Sequence, residues 1–190
     1  NANILVMPMM DMGMMQHSSP FENPTSQTVN KMFPLGVVFT MPSSTTAHWI
    51  VNFTITANTH SGTVSVPINI VDPSKSRLKS FTSAFDGSVY IAALIDPASP
   101  KVGINDMEIA IFKKNSMMSY PADSSMSITL TPEMPSMGHG SPNNISPVHT
   151  KVGHYNGKVN FTMTGLWRLN LDFMSGQAVA DTTQFFDIEF

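Results

Sequence analysis

The chain has 190 residues, 42% of them hydrophobic and only 12% charged, with a formal net charge of −3. This composition excludes a disordered chain, and the mild acidity gives no reason to expect nucleic acid or an anionic membrane as a partner. The absence of cysteine removes disulfides, thiolate zinc sites and cysteine nucleophiles together.

Low charge with abundant Ser, Thr, Asn, Pro and Gly predicts an all-β protein with many turns. Arg77 and Arg168 are the only arginines, so clamps for phosphate or carboxylate groups are not expected. No apolar run approaches the roughly 18 residues that span a bilayer. The first residues, Asn1 to Met7, lack the basic-then-apolar order of a signal peptide.

In chain order, the first feature is a cluster of Met7, Met9, Met10, Met12, Met14 and Met15 that ends at His17. Its spacing fits neither period 2 nor period 3.6, and Pro8, Asp11 and Gly13 interrupt regular structure, so a loop is predicted. Residues 47–57 alternate, with Trp49, Val51, Phe53 and Ile55 on one face, and residues 63–71 repeat the pattern. A turn at His60-Ser61-Gly62 joins them as a hairpin, and Pro67 marks the second as an edge or bulged strand. The polar stretch 72–80 reads as a linker. Further strands are predicted at 89–95, 107–113, 125–130, 158–163, 167–173 and 183–190. No convincing amphipathic helix is found, because Pro, Gly and Asn interrupt nearly every window of helical length.

An internal repeat organises the chain. Met134-Pro135 matches Met7-Pro8, Met137-Gly138 matches Met12-Gly13, and His139 before Ser141-Pro142 matches His17 before Ser19-Pro20. Downstream, Tyr155 matches Phe33, Gly157 matches Gly36, Phe161-Thr162-Met163 matches Phe39-Thr40-Met41, and Trp167 matches Trp49. About fifty residues with three predicted strands precede the Met-Pro motif in the second copy, whereas six precede it in the first. The first copy is therefore expected to be incomplete at its N-terminal side. Either another segment completes it or the chain begins inside a longer protein.

The order Met134-Pro135, Met137, His139, Tyr155, Gly157, Phe161, Met163, Gly165, Trp167 resembles the YtkA-like and FixH-like domains of bacteria. The resemblance covers roughly residues 83 to 190 throughout and the first copy over residues 7 to 71, where the Met loop is longer. It implies tandem immunoglobulin-like antiparallel β-sandwiches, a partial one over 1–75 and a complete one over 83–190. It also implies a periplasmic or cell-surface setting and a link to copper supply or resistance. A copper pump, efflux or oxidase assembly component is the kind of envelope partner that follows.

Thioether sulfur is a soft ligand that selects Cu(I), and imidazole suits both copper states. The expected metal ligands are Met7, Met10, Met12, Met15 and His17 in the first copy. In the second they are Met134, Met137 and His139, with His149 and His154 on a segment that could return beside them. The rival reading treats the methionines as adaptable packing or contact residues of a structural or interaction module that binds no metal. Met41 and Met163, at equivalent strand positions, are expected to be packing residues, and Trp49 and Trp167 core anchors. Catalysis has no support: there is no nucleophile elbow, phosphate loop or HExxH, and the four glutamates are scattered.

Overall fold

The computed structural model describes residues 2–190. Among these residues every regular element is a β-strand, every pairing between strands is antiparallel, and no helix is long and apolar enough to cross a membrane. The chain divides into two compact units. Unit 1 holds residues 2–72 with Asn115–Tyr120, and unit 2 holds Pro73–Lys114 and Pro121–Phe190.

Unit 2 contains β7 (Leu78–Thr82), β8 (Val89–Asp96), β9 (Gly103–Lys114), β10 (Met126–Met134), β11 (His139–Gly140), β12 (Ile145–Lys151), β13 (His154–Phe161), β14 (Leu166–Ser175) and β15 (Ala178–Glu189). They form a four-stranded sheet ordered β11-β10-β14-β15 and a five-stranded sheet ordered β12-β13-β9-β8-β7. The strands form because apolar residues recur with period 2. Met126, Ile128, Leu130 and Met134 of β10 are buried while Ser127, Thr129 and Thr131 are exposed. One core takes side chains from both sheets, including Met107, Ile109 and Ile111 from one and Trp167, Leu169, Leu171 and Phe173 from the other. Each such side chain contributes about 1.5–3 kcal/mol by leaving water. Tyr155 ties the layers together, its hydroxyl accepting from Met126 N at 3.1 Å and donating to the Asp123 carbonyl at 3.2 Å. Burial pushes its phenol up to about 12.

Unit 1 contains β1 (Ala2–Asp11), β2 (Gln16–His17), β3 (Phe21–Glu22), β4 (Gly36–Val37), β5 (His48–Ala57) and β6 (His60–Ile68). It has one main sheet, ordered β2-β1-β5-β6, and the short pair β3-β4. Its buried cluster is small: Met10, Ala47 and Trp49, with Phe39, Met41, Ile68 and Ile70 packed against it.

Three local expectations are corrected. Met7, Met9 and Met10 lie within strand β1, and only Met12, Met14 and Met15 belong to a loop. Pro8 sits comfortably in β1 because its side chain joins the buried face between Val6 and Met10. Residues 78–80 of the expected linker open unit 2 as β7, where Phe81 is buried. The β5–β6 turn falls at Asn58-Thr59, with Asn58 in the left-handed region at φ 55° that Asn tolerates, so His60 to Gly62 are already in the strand.

Candidate metal centre

The two main sheets share one register. In unit 1, Ile4, Val6, Pro8 and Met10 face Ile55, Phe53, Val51 and Trp49. In unit 2, Ile128, Leu130 and Pro132 face Phe173, Leu171 and Leu169, the pairing ends at Glu133 opposite Arg168, and Met134 and Trp167 follow next on their strands in the same core. Met10 is also opposite His17, and Met134 opposite His139. The structural counterpart of Met134 is thus Met10, and that of Pro132 is Pro8. The repeat reads three residues away from the Met-Pro alignment, because the Met7-Pro8 dipeptide matches Met134-Pro135 in letters but not in strand position.

At this end of each sheet a methionine, a histidine and a tryptophan line up across three neighbouring strands. Opposed residues of an antiparallel pair project from the same face, so the His and Trp rings meet above the methionine. His17 touches Trp49 edge-on at 5.5 Å between ring centroids, and His139 touches Trp167 edge-on at 5.8 Å. Phe39 and Phe161 flank the same indoles at 5.2 and 5.6 Å. Each indole N–H donates backward to the carbonyl of the repeat-equivalent methionine: Trp49 to Met41 at 2.9 Å, Trp167 to Met163 at 3.0 Å. This bond fixes the backbone of Met41 and Met163 beside the indole; the Met41 side chain packs on the unit 1 cluster, and the Met163 side chain is exposed.

The histidine tautomer follows from the backbone. His17 Nδ1 lies 2.8 Å from the Ser18 carbonyl and His139 Nδ1 lies 2.9 Å from the Gly140 carbonyl. A carbonyl only accepts, so Nδ1 carries the proton and Nε2 of the neutral ring presents a lone pair. In unit 1 that lone pair faces the Met41 sulfur at 3.4 Å. A thioether has no proton to give. In the neutral ring two electron-pair donors then face each other, whereas a ring protonated at both nitrogens donates Nε2–H to the sulfur. A cation bound at about 2.0 Å from nitrogen and about 2.3 Å from sulfur, in tetrahedral geometry, sets the two about 3.5 Å apart.

The expected ligands separate on this geometry. Met10, His17, Met134 and His139 are brought to the cluster. Met7 is not: it alternates with Val6 and Pro8 onto the opposite face, where the Ser18 hydroxyl approaches its sulfur at 3.7 Å. Met12 and Met15 are exposed on the β1–β2 connection, and Met137 is exposed in the β10–β11 turn. His149 and His154 lie in the other sheet of unit 2, His149 against Tyr155 and His154 hydrogen-bonded through Nδ1 to Glu108 Oε1 at 2.6 Å. Phe161, which touches Trp167, is seven residues along β13 from His154. At about 3.3 Å per residue that is about 23 Å, too far for a shared ion.

Met41 and Met163 were expected to be packing residues of a strand. Both stand outside regular strands and are partly exposed. The feature that could have found them is the Phe-Thr-Met repeat, whose methionine carbonyl accepts the indole hydrogen bond in both units although it lies eight residues before Trp49 and four before Trp167. Among the described residues no three of His, Cys, Asp or Glu gather to hold a metal. Neither a protein-family model, a curated protein nor a solved structure matches this chain.

Proposed function

We propose that this chain is an extracytoplasmic, non-catalytic copper-binding module of the YtkA-like and FixH-like kind, built from two immunoglobulin-like units. The observation that carries the reading is the His17 Nε2 lone pair facing the Met41 sulfur at 3.4 Å. The same fixed histidine tautomer, the same indole bond and the same buried methionine recur in unit 2. The ligands are His17 and Met41 above Met10 in unit 1, and His139 and Met163 above Met134 in unit 2. Two thioethers with one neutral imidazole form a soft donor set suited to Cu(I). The flanking Trp and Phe rings keep water from the ion, and the hydrogen bond from Nδ1 to a carbonyl orients the imidazole. The partner is an envelope copper pump, efflux or oxidase assembly component.

The test is a Cu(I) titration of the purified chain against a coloured chelator. Two ions per chain are expected in the parent, and one after His17→Gln with Met41→Leu. A parent that takes no Cu(I) from the chelator sinks the reading. The alternative, an interaction module with methionines as adaptable contact surface, then takes over. One observation favours it: Met14 is fully solvent-exposed, with Met12 and Met15 exposed beside it.

A further inference from the structure

The hairpin that joins the buried methionine of the unit 1 cluster to its histidine is itself tipped with thioethers. β1 and β2 pair Met10 with His17 and Asp11 with Gln16. The ladder runs one step beyond the strands, since the Met12 N–H donates to the Met15 carbonyl at 3.0 Å. Gly13, at φ 80°, then turns the chain, and Asp11 Oδ1 accepts from its N–H at 2.8 Å. Met12 therefore stands opposite Met15 as Met10 stands opposite His17. Side chains two residues apart on a strand share a face. The Met12–Met15 pair thus lies on the face that carries Met10 and His17, about 7 Å further out along the strands.

Exposure rises along this face. Met10 is fully buried, His17 is half-buried, and Met12 and Met15 are 40% and 51% exposed. The Cα atoms of a hydrogen-bonded antiparallel pair stand about 5.5 Å apart, so two flexible Met side chains on such a pair reach one ion between them. Asp11 is the only Asp, Glu, Lys or Arg from residue 1 to 21, and its negative charge beside the tip favours an approaching cation. Unit 2 supplies the comparison. Four residues separate Met134 from His139, against six between Met10 and His17. The shorter turn closes with the Met137 and Gly138 N–H groups both donating to the Met134 carbonyl. The rung that unit 1 adds is the thioether pair, which unit 2 lacks.

We propose that Met12 and Met15 form a loading site for Cu(I), which takes the ion from a donor at the surface and passes it inward to His17 Nε2 and the Met41 sulfur. The inference rests on the copper reading of the cluster. Transfer is ligand exchange: each new bond to Nε2 or to the Met41 sulfur replaces one to a Met12 or Met15 sulfur. The copper stays Cu(I), and no electron moves. Two thioethers hold the ion less tightly than the inner set of two thioethers and an imidazole, so the step inward is downhill.

The test uses the full chain carrying His139→Gln and Met163→Leu, so that only unit 1 loads. It is mixed under argon with Cu(I) held by a coloured chelator, and both the rate and the end point of the colour change are read. Leu matches Met in size and apolarity but has no sulfur. Met12→Leu with Met15→Leu is expected to slow loading by about tenfold or more, as when the soft donors that first meet the ion are removed, and to leave the end point unchanged. Met7→Leu, on the opposite face, leaves both unchanged. The proposal is overturned if the double variant loads as fast as its background, or if Met7→Leu slows loading as much. It is overturned equally if the end point falls with the rate, since Met12 and Met15 are then resident ligands. A background chain that takes no Cu(I) overturns the copper reading of the unit 1 cluster itself, and the loading site falls with it.

Discussion

Trp49 and Trp167 make the same hydrogen bond in the two units, each indole N–H reaching back to a methionine carbonyl, of Met41 at 2.9 Å and of Met163 at 3.0 Å. Trp→Phe at either position removes the donor and leaves a shielded carbonyl without its partner, at a cost of about 1–3 kcal/mol beyond the lost packing. Denaturant unfolding of Trp49→Phe and Trp167→Phe should show both losses. Trp167→Phe should disturb the larger core, since Trp167 packs with both sheets of unit 2 while Trp49 anchors a small cluster. Equal stability of Trp49→Phe and the parent would remove the structural role given to the indole bond.

Copper affinity should follow the cluster and not the methionine count. Met41→Leu and Met163→Leu each lower Cu(I) affinity at their own unit by about tenfold or more, as expected when one soft donor of three is removed. Met7→Leu, His149→Gln and His154→Gln leave it unchanged, because those side chains stand on other faces or in the other sheet. A chelator competition across the five variants decides the matter: a drop with Met7→Leu equal to that with Met41→Leu contradicts the assigned donor set.

Acid should destabilise unit 2 through its paired carboxylates. Two hydrogen bonds from Arg168 hold the Asp187 carboxyl below the usual range, and hydrogen bonds from Lys113 and Ser88 hold Asp86 lower still. The hydrogen bond from Lys158 lowers Asp106. A folded-state value below the unfolded one gives stability that is present above the unfolded value, about 3.9 for Asp, and is lost as pH falls through the folded value. Thermal midpoints should therefore decline below about pH 4, and the decline should shrink in Asp187→Asn.

Alkali acts through Tyr155. Its phenol is raised to about 12 by burial, so the folded chain keeps the proton that the unfolded chain releases near pH 10. Stability is full below pH 10 and falls between about 10 and 12. Tyr155→Phe should shrink that loss, leaving the part that Tyr90 and Tyr120, whose phenols burial also raises, contribute. At neutral pH it should cost about 1–3 kcal/mol, because Met126 N loses its acceptor. An unchanged alkaline unfolding profile in Tyr155→Phe would assign the transition to another group.

Gly157 lies where β12 crosses β13, and a Cβ there would overlap the Ile145 carbonyl and come within 2.9 Å of Pro147 N. Both neighbours are backbone and cannot swing aside. Gly157→Ala should cost about 1–3 kcal/mol by overpacking, whereas Gly62→Ala, with nothing within 4 Å, should be close to neutral in denaturant unfolding.

Strand identity was legible in the sequence because burial on one face imposes period 2, which is visible in 47–57 and 167–173 without any partner. The repeat was legible too, through Phe161, Met163 and Trp167 against Phe39, Met41 and Trp49. Its register was not. Met7-Pro8 and Met134-Pro135 match as letters, yet Met10 is the residue that sits against Trp49, because strand position is set by cross-strand pairing and not by dipeptide identity. The dense methionines hid an ordinary alternation of Val6, Pro8 and Met10 beneath extra thioethers on the other face. Which thioethers meet an imidazole was decided only in three dimensions. Met41 is 24 residues from His17, and the carbonyl of Ser18 fixes which ring nitrogen faces it. His149 and His154 look close to His139 in sequence and are carried away by the crossing into the second sheet. Local alternation is a property each segment carries alone, whereas a shared donor set depends on which strands the whole chain sets side by side.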